Sequence, residues 1–328
     1  MAVYTPLEER ELVALLGRYD VGSLRGFHGI AEGIENSNFL VETDVGRFVL
    51  TVFERRVKRD ELPFFMELMG WLSAHGFPAP QPVSDRGGAV LQTLQGKPAC
   101  LVGFLAGRPV EPPTVATCRE AGAGAARMHV AAEGFPGLRP NALSVAAWRP
   151  LFTGREPLAE RLRPGLAGAI AADLDTLEAA WPMALPRGVI HADLFADNVF
   201  LHADGAFAGV IDFYFACTDA LAYDLAVMLN AWAFEGGAFD GGGFDRAKVR
   251  ALIEGYEAVR PLTPAEREAL PVLAHGAAMR FFLTRLADWE ATPDGAIVTR
   301  KDPLDYADRL VFHRAAADGT GPSLLDAQ

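Results

Sequence analysis

The sequence predicts an α+β fold with a small β-rich N-terminal lobe and a larger, mostly helical C-terminal lobe. Residues 21–53 carry short apolar runs separated by turns with glycine or asparagine, which is typical of antiparallel strands. From Val115 onward the chain contains stretches rich in Ala and Leu at helical spacing. Residues 188–213 interrupt them with a second group of short apolar runs, and a chain of 328 residues is long enough for two lobes.

Residues 188–213 contain three apolar runs with polar side chains at their ends. An Asp-Gly turn joins the second and third runs into a hairpin. Asp193 and Asn198 lie in the loop between the first two runs, and Asp212 ends the third. We therefore expect these side chains near the same ends of adjacent strands. Two carboxylates and an amide supply hard oxygen ligands for Mg²⁺, with one carboxylate left to act as a base.

The polar loop matches a pattern known from protein kinases. His191, Asp193 and Asn198 have the spacing H-x-D-x-x-x-x-N, and Asp212 follows after one hairpin. In protein kinases the first Asp accepts the proton of the substrate hydroxyl, and the Asn and the later Asp hold Mg²⁺. The pattern predicts His191 and Asp193 as catalytic residues and Asn198 and Asp212 as metal ligands. Four such residues in register with strands favour this interpretation over a solvated hairpin with ordinary turn residues.

Two departures from the protein-kinase pattern narrow the class. Ala192 stands where the catalytic loop has Arg, and Tyr214 stands where the later Asp-Phe-Gly triplet has Gly. In both respects the chain resembles the small-molecule kinases related to aminoglycoside phosphotransferases.

The turn between the first two predicted strands is a candidate phosphate-binding loop. It runs from His28 to Asn38, and a glycine loop between strands can lay backbone N–H groups over phosphates. A plain turn is the alternative interpretation. The predicted nucleotide-binding residues of the loop are Gly29, Gly33, Asn36, Ser37 and Asn38.

The third predicted strand, at residues 47–53, lacks the lysine that kinases place on the ATP phosphates and pair with a Glu of the next helix. Thr51 occupies that position, and we assign it to the nucleotide site. Either another basic residue reaches the phosphates, or Mg²⁺ and loop amides suffice, and the sequence leaves both open. The nearest basic residues are Arg55, Arg56 and Lys58, and the next helix, from Asp60 to His75, contains Glu61 and Glu67.

A predicted hinge follows two further strands, at residues 89–94 and 99–104, which flank a turn at residues 95–98. In kinase-like folds the hinge backbone hydrogen-bonds adenine, so Phe104 and Leu105 are predicted nucleotide contacts. A plain strand end is the alternative. This hinge separates a nucleotide-binding lobe at residues 1–105 from a catalytic and substrate-binding lobe at residues 106–328.

Helical patterns dominate the C-terminal lobe. Helices are expected at residues 121–132, 167–180 and 223–232, whereas residues 137–165 and 315–328 have a looser pattern. Asp224 either braces the catalytic loop or caps its helix. Helix-start patterns are present at Thr5-Pro6-Leu7-Glu8 and at Thr263-Pro264-Ala265-Glu266.

Composition excludes several classes. The net charge is −12 with no basic stripe, which argues against a nucleic-acid partner. No apolar run is long enough to span a membrane, and the N-terminus lacks a secretory pattern. The three cysteines have no metal-like spacing, so we expect reduced thiols in a cytoplasmic protein; self-association into a homo-oligomer stays open.

The chain resembles, over nearly its full length, bacterial homoserine kinases of the aminoglycoside-phosphotransferase-like type. The Val-Leu-Thr strand and the Asp-Phe-Tyr-Phe-Ala-Cys segment are its most specific parts, and Thr51 then looks like a family trait. The resemblance rests on residues 33–41, 48–54, 62–65, 191–198, 209–217, 223–226, 229–232, 279–289 and 301–304.

The resemblance implies that ATP, with Mg²⁺, donates its γ-phosphoryl group to the side-chain hydroxyl of L-homoserine, in threonine biosynthesis. Asp193 would orient the hydroxyl and accept its proton. An amino-acid acceptor needs an anion for its ammonium and a cation for its carboxylate. The candidates are Asp219, Arg280, Arg285 and Asp288, although surface ion pairs between helices explain them equally well.

Two alternatives remain at this stage. An aminoglycoside or amino-alcohol phosphotransferase would share the fold, but an aminoglycoside enzyme would need a strongly acidic acceptor cleft for its polycation. The sequence has no acidic run near its C-terminus. A non-catalytic nucleotide sensor is disfavoured because the base and both metal ligands occur together.

Overall fold

The computed structural model describes residues 5–30, 36–54, 58–235, 243–291 and 301–325. Three residues of the sequence argument, Gly33, Arg55 and Arg56, lie outside the described residues.

One five-stranded antiparallel sheet dominates the N-terminal part, in the order β1-β2-β3-β5-β4. Its strands are β1 Leu24–Gly29, β2 Ser37–Thr43, β3 Arg47–Val52, β4 Leu91–Leu94 and β5 Lys97–Gly103. Two helices flank the sheet, α1 Glu9–Leu16 and α2 Leu62–Ala74.

Alternation along the strands gives the sheet two apolar faces, because successive side chains point to opposite sides. Val41, Leu50 and Leu101 pack with the leucines of α1 in one cluster. Cys100 and Val102, which flank Leu101 in β5, point to the other face and pack with α2 in the main core. The predicted meander and the following helix are confirmed.

Two local predictions in this part were wrong. The first helix begins at Glu9 and not at Thr5, because Glu8 is its N-cap and forms a capping box with Glu11. Thr5 is instead buried, and its hydroxyl donates to Glu54 Oε1 at 2.6 Å. Lys97, predicted in a turn, is the first residue of β5.

The C-terminal part is mainly helical. Its helices are α3 Val115–Ala131, α4 Val145–Phe152, α5 Glu156–Leu162, α6 Leu166–Ala180, α7 Ala222–Trp232, α8 Arg246–Glu257, α9 Pro264–Ala291 and α10 Leu304–Ala317. Five short strands also lie in this part: β6 Arg108–Pro109, β7 Arg187–Ile190, β8 Val199–Leu201, β9 Phe207–Val210 and β10 Cys217–Ala220. Strand β7 pairs with β10, and β8 lies between β6 and β9.

Helices α3 and α8 pack with their backbones in close contact. A Cβ at Gly122 would lie 2.1 Å from the Leu252 carbonyl oxygen, and one at Gly255 would lie 2.0 Å from that of Arg119. Only glycine fits at both positions, which explains the small residues of α3.

Two segments are more ordered than their sequence pattern suggested. Residues 137–165 contain α4 and α5, with Trp148 fully buried. Residues 315–328 begin with the last turn of α10, and Leu324 is buried in the main core. None of the helices in the described ranges has the length and apolar content to cross a membrane.

Candidate active site

The catalytic loop, residues 191–198, connects β7 to β8. Asn198 immediately precedes β8 and Asp212 closely follows β9, and the Ile211 N–H donates to the Asn198 carbonyl at 3.0 Å. This pairing brings the metal-ligand candidates together, as the spacing predicted. Ala192 and Asp212 both have φ of 64°, a left-handed conformation that is uncommon outside glycine and clusters at functional sites.

Asp224 holds the loop in this conformation. Its buried carboxylate accepts hydrogen bonds from the N–H groups of His191 at 2.7 Å and Ala192 at 2.6 Å. His129 Nε2 lies 3.0 Å from the same carboxylate. Arg280 Nη1 also contacts the loop and donates to the Ala192 carbonyl. Of the two roles considered for Asp224, the structure shows the brace, since the N-cap of α7 is Leu221.

His191 lies beneath the loop and outside the cleft. Its Nε2 lies 2.9 Å from the Ile211 carbonyl, and its Nδ1 accepts from the Asp193 N–H at 3.2 Å. Complete burial lowers the pKa of this imidazole, which favours its neutral form. Both ring nitrogens therefore have partners within the protein, and Phe213 packs on the ring at 4.9 Å, so the imidazole contacts the loop and does not line the cleft.

Asp193 faces the cleft from the centre of the loop. Asn198 Nδ2 donates to its carbonyl at 2.8 Å and lies 3.3 Å from its Oδ2. Burial raises the pKa of the Asp193 carboxyl above its ordinary value, and the charges of Arg280 and Lys301 oppose that shift. A raised pKa makes the carboxylate a better proton acceptor.

A cleft of about 1620 Å³ separates the two lobes and is lined by residues of both. Of the predicted site residues, it is lined by Asn36, Asn38, Thr51, Phe104, Leu105, Asp193, Asn198, Asp212, Arg280, Arg285 and Asp288. Gly29, Ser37, His191 and Asp219 are described but do not line it.

Position 51 in β3, where kinases have the strand lysine, is buried among neighbouring side chains. Thr51 is 3% exposed, and its hydroxyl donates to Asn38 Oδ1 at 2.8 Å. The hydroxyl of Tyr214, from the other lobe, lies close to Thr51 and to the Cys100 thiol. The ring of Tyr214 packs edge-on against Phe53 at 5.0 Å. The tyrosine that replaces Gly thus ties the metal-ligand segment to β3.

The donor set at the loop suits a divalent cation held jointly with phosphates. The loop occupies the amide nitrogen of Asn198, so its oxygen is the atom that remains to coordinate. Asp212 adds a solvent-exposed carboxylate. Within the described ranges there is no cluster of three His, Cys, Asp or Glu side chains that would hold a metal by itself. Mg²⁺ is commonly bound by one or two protein ligands plus substrate phosphates, which fits this pair.

The acceptor candidates differ in position. Arg285 donates to Asp302 O and to Asp305 Oδ2, both at 2.9 Å. Asp219 is 5% exposed, lies 3.0 Å from Arg187 and accepts from the Asn141 amide at 2.8 Å. The Asp219 carboxylate, on β10, is therefore already paired with Arg187 and Asn141.

Three basic residues that the sequence argument did not assign also line the cleft. Arg139 donates to Glu61 Oε2 at 2.8 Å and to the Ala216 carbonyl at 3.1 Å, so it joins the lobes. Lys301 Nζ lies 5.3 Å from the Phe195 ring centroid, close enough to Asp193 to affect its pKa. Lys97 is the third. Lys301 had a signal in the resemblance at residues 301–304, whereas Arg139 and Lys97 had none.

Two lobes with a cleft between them, and a candidate base and candidate metal ligands on one loop-hairpin unit, are the arrangement of a kinase-like phosphotransferase. The phosphotransferase enzyme family (APH) matches residues 26–262 of the chain. Among solved structures, amicoumacin kinase hAmiN in complex with AMP-PNP, Ca²⁺ and Ami aligns with a TM-score of 0.69 and 16% identity, covering 98% of this chain and 96% of that one. Spectinomycin phosphotransferase aligns with a TM-score of 0.66 and 13% identity, covering 94% of each chain. These likenesses confirm the bilobal fold.

Curated relatives are much closer in sequence. A homoserine kinase of a Caulobacter species is 58% identical over 314 residues, 96% of this chain and 97% of the relative. The homoserine kinase of Phenylobacterium zucineum is 58% identical over 318 residues, 97% of each. The chain belongs to the phosphotransferase enzyme family and, within it, to the homoserine kinases, as the sequence resemblance predicted.

Proposed function

We propose that this protein transfers the γ-phosphoryl group of ATP to the side-chain hydroxyl of L-homoserine. The observation that carries the proposal is the 58% identity, over 96% of the chain, to a named homoserine kinase. The braced catalytic loop supports it, because Asp193, Asn198 and Asp212 line one cleft. The identity also favours this acceptor over an aminoglycoside.

Asp193 is the proposed catalytic base. It orients the acceptor hydroxyl and takes its proton as the oxygen attacks phosphorus. Burial, which raises the pKa of Asp193, favours proton acceptance. The protein's contribution to the rate is mainly alignment and charge stabilisation.

Asn198 and Asp212 are the proposed Mg²⁺ ligands. These two side chains would hold the ion, which would supply positive charge against the negative charge that develops on the phosphates. The hydrogen bond from Asn198 to the loop keeps the metal ligand and the base in fixed relation.

The nucleotide is proposed to bind the N-terminal lobe, residues 1–105, with adenine at the hinge and residues 106–328 supplying catalysis. The Phe104 N–H already donates to the Arg47 carbonyl at 3.1 Å. The backbone of Leu105 is therefore the proposed adenine contact. The use of ATP and three free buried cysteines support a cytoplasmic location.

The acceptor is proposed to lie beside Arg285, Asp288 and Lys301, which line the cleft with Asp193. A cation there pairs with the homoserine carboxylate, and Asp288 with its ammonium. Arg280 is proposed to support the loop through its hydrogen bond to the Ala192 carbonyl.

The test is ADP release from the purified protein with Mg-ATP and a panel of acceptors: L-homoserine, L-serine, L-threonine, choline and kanamycin. We expect turnover with L-homoserine and little with the others. Equal or faster turnover with kanamycin or choline would refute the acceptor assignment. ATP binding without turnover on any acceptor would instead favour a nucleotide sensor.

A further inference from the structure

We propose that Lys97 contacts the nucleotide phosphates in place of the strand lysine, and that Glu54 positions it. The pair joins the first residue of β5 to the residue two positions after β3. The inference rests on the proposed function for its ligand, a nucleoside triphosphate.

Position 51 leaves no room for the cation. Thr51 is buried, with its hydroxyl bonded to Asn38 and in contact with Tyr214, whose ring fills the adjacent space against Phe53. A lysine there would displace this interlobe contact. If a side-chain cation of the N-terminal lobe binds the phosphates, it therefore comes from a position other than 51.

Lys97 is the cation that this lobe offers to the cleft. Within residues 5–30, 36–54 and 58–105, the described part of the lobe, no other Lys or Arg lines the cleft. Its side chain is 38% exposed, so the ammonium is held but not enclosed. Two hydrogen bonds, to Glu54 Oε2 and to Thr5 Oγ1 at 2.7 Å, use two of its three N–H donors. The third donor suits a phosphate oxygen.

Glu54 places Lys97 at the end of the predicted phosphate loop. Its Oε1 accepts from Ser37 Oγ at 2.7 Å, and its N–H lies 3.4 Å from Asn36 Oδ1. Burial acts to raise the pKa of Glu54, but hydrogen bonds from Lys97, Ser37 and Thr5 outweigh it and lower that pKa, so the carboxylate stays ionised. In kinases a Glu of the following helix holds the lysine. Here Glu61, the N-cap of the following helix, pairs with Arg139 instead.

The experiment compares nucleotide affinities by calorimetry, without acceptor, for Lys97→Met and Lys97→Arg. We expect Lys97→Met to weaken Mg-ATP and ADP binding by about tenfold to a hundredfold and to leave adenosine within about twofold, because only the phosphates lose a charged donor. Lys97→Arg should retain most of the affinity. Lys248→Met is the matched control, since it removes another Lys–Glu pair, with Glu235 at 2.5 Å, outside the cleft.

Equal weakening of ATP and adenosine, or no change in either, would overturn the proposal and leave Lys97 as a structural tie for the N-terminal segment. A second measurement uses the unmodified protein and does not depend on variant folding. Lysine acylation followed by mass spectrometry should show Lys97 protected by Mg-ATP but not by adenosine. The reference is Lys58, whose side chain is 76% exposed and does not line the cleft. A Lys97 acylation rate unchanged by ATP would also contradict the proposal. Neither measurement needs an acceptor. A failure of the proposed function would therefore show only in the ADP-release assay, and a failure of the Lys97 proposal only in these binding measurements.

Discussion

Asp224→Asn removes the brace of the catalytic loop without changing side-chain volume. The carboxylate accepts two short backbone hydrogen bonds, from His191 and Ala192. An amide keeps one acceptor and turns its NH₂ toward the other N–H, so one charge-assisted bond is lost and a buried donor is left unpaired. The expected loss of unfolding free energy is roughly 2–4 kcal/mol. With an unfolding entropy of about 2.1 cal/mol/K per residue, this corresponds to a Tm lower by roughly 3–6 °C.

Catalysis should suffer more than stability in this variant. A small displacement of Asp193 costs roughly tenfold to a hundredfold in kcat, because alignment supplies much of the rate. The ATP dissociation constant should be nearly unchanged, since Asp224 does not line the cleft. Steady-state kinetics, calorimetry and thermal unfolding measure the three quantities.

The matched control is Asp173→Asn, a carboxylate that is 3% exposed and pairs with Arg314 outside the cleft. It should lower Tm by a similar amount with kcat within about twofold, as expected for a site away from the chemistry. Wild-type kcat in Asp224→Asn, at any Tm, would refute the bracing argument.

Further predictions concern three residues that line the cleft, Asp193, Arg285 and Tyr214. Asp193→Ala should abolish turnover and leave ATP binding intact in calorimetry, and wild-type-like turnover would remove Asp193 from its role. Burial raises the pKa of Asp193, so the ionised carboxylate lowers the stability of the fold at pH values above that pKa. Asp193→Asn should therefore raise Tm at pH 8 but not below about pH 3.9. In the wild-type protein, kcat should fall as the pH drops through the raised pKa. An equal Tm difference at both pH values would contradict this sign. Arg285→Met should raise KM for L-homoserine at least about tenfold with ATP affinity unchanged, whereas Arg163→Met, which breaks a 2.6 Å pair with Asp308 outside the cleft, should leave KM alone. Tyr214→Phe should lose about 1 kcal/mol of stability and keep turnover, because the ring still packs on Phe53; complete loss of turnover would mean that the hydroxyl takes part in the chemistry.

Patterns that span a few residues were predicted well. The strands of the N-terminal sheet follow from alternation of apolar residues, and α2 and α6 follow from helical periodicity. The spacing of Asp193, Asn198 and Asp212 predicted their grouping because one hairpin brings them together. In contrast, residues 137–165 form helices that are held by packing around Trp148, which their weak local pattern does not reveal.

Within the site, residue types and their short spacing were enough to predict the base and the metal-ligand pair, which stay predictions, and the family, which the comparisons confirm. Only the tertiary structure decided the roles of the supporting residues. It placed the side chains of His191 and Asp219 outside the cleft. It also paired Glu54 with Lys97, 43 residues away, and Glu61 with Arg139, 78 residues away. Such pairs depend on how the sheet, the loops and the two lobes pack, and no local periodicity records which distant side chains will meet.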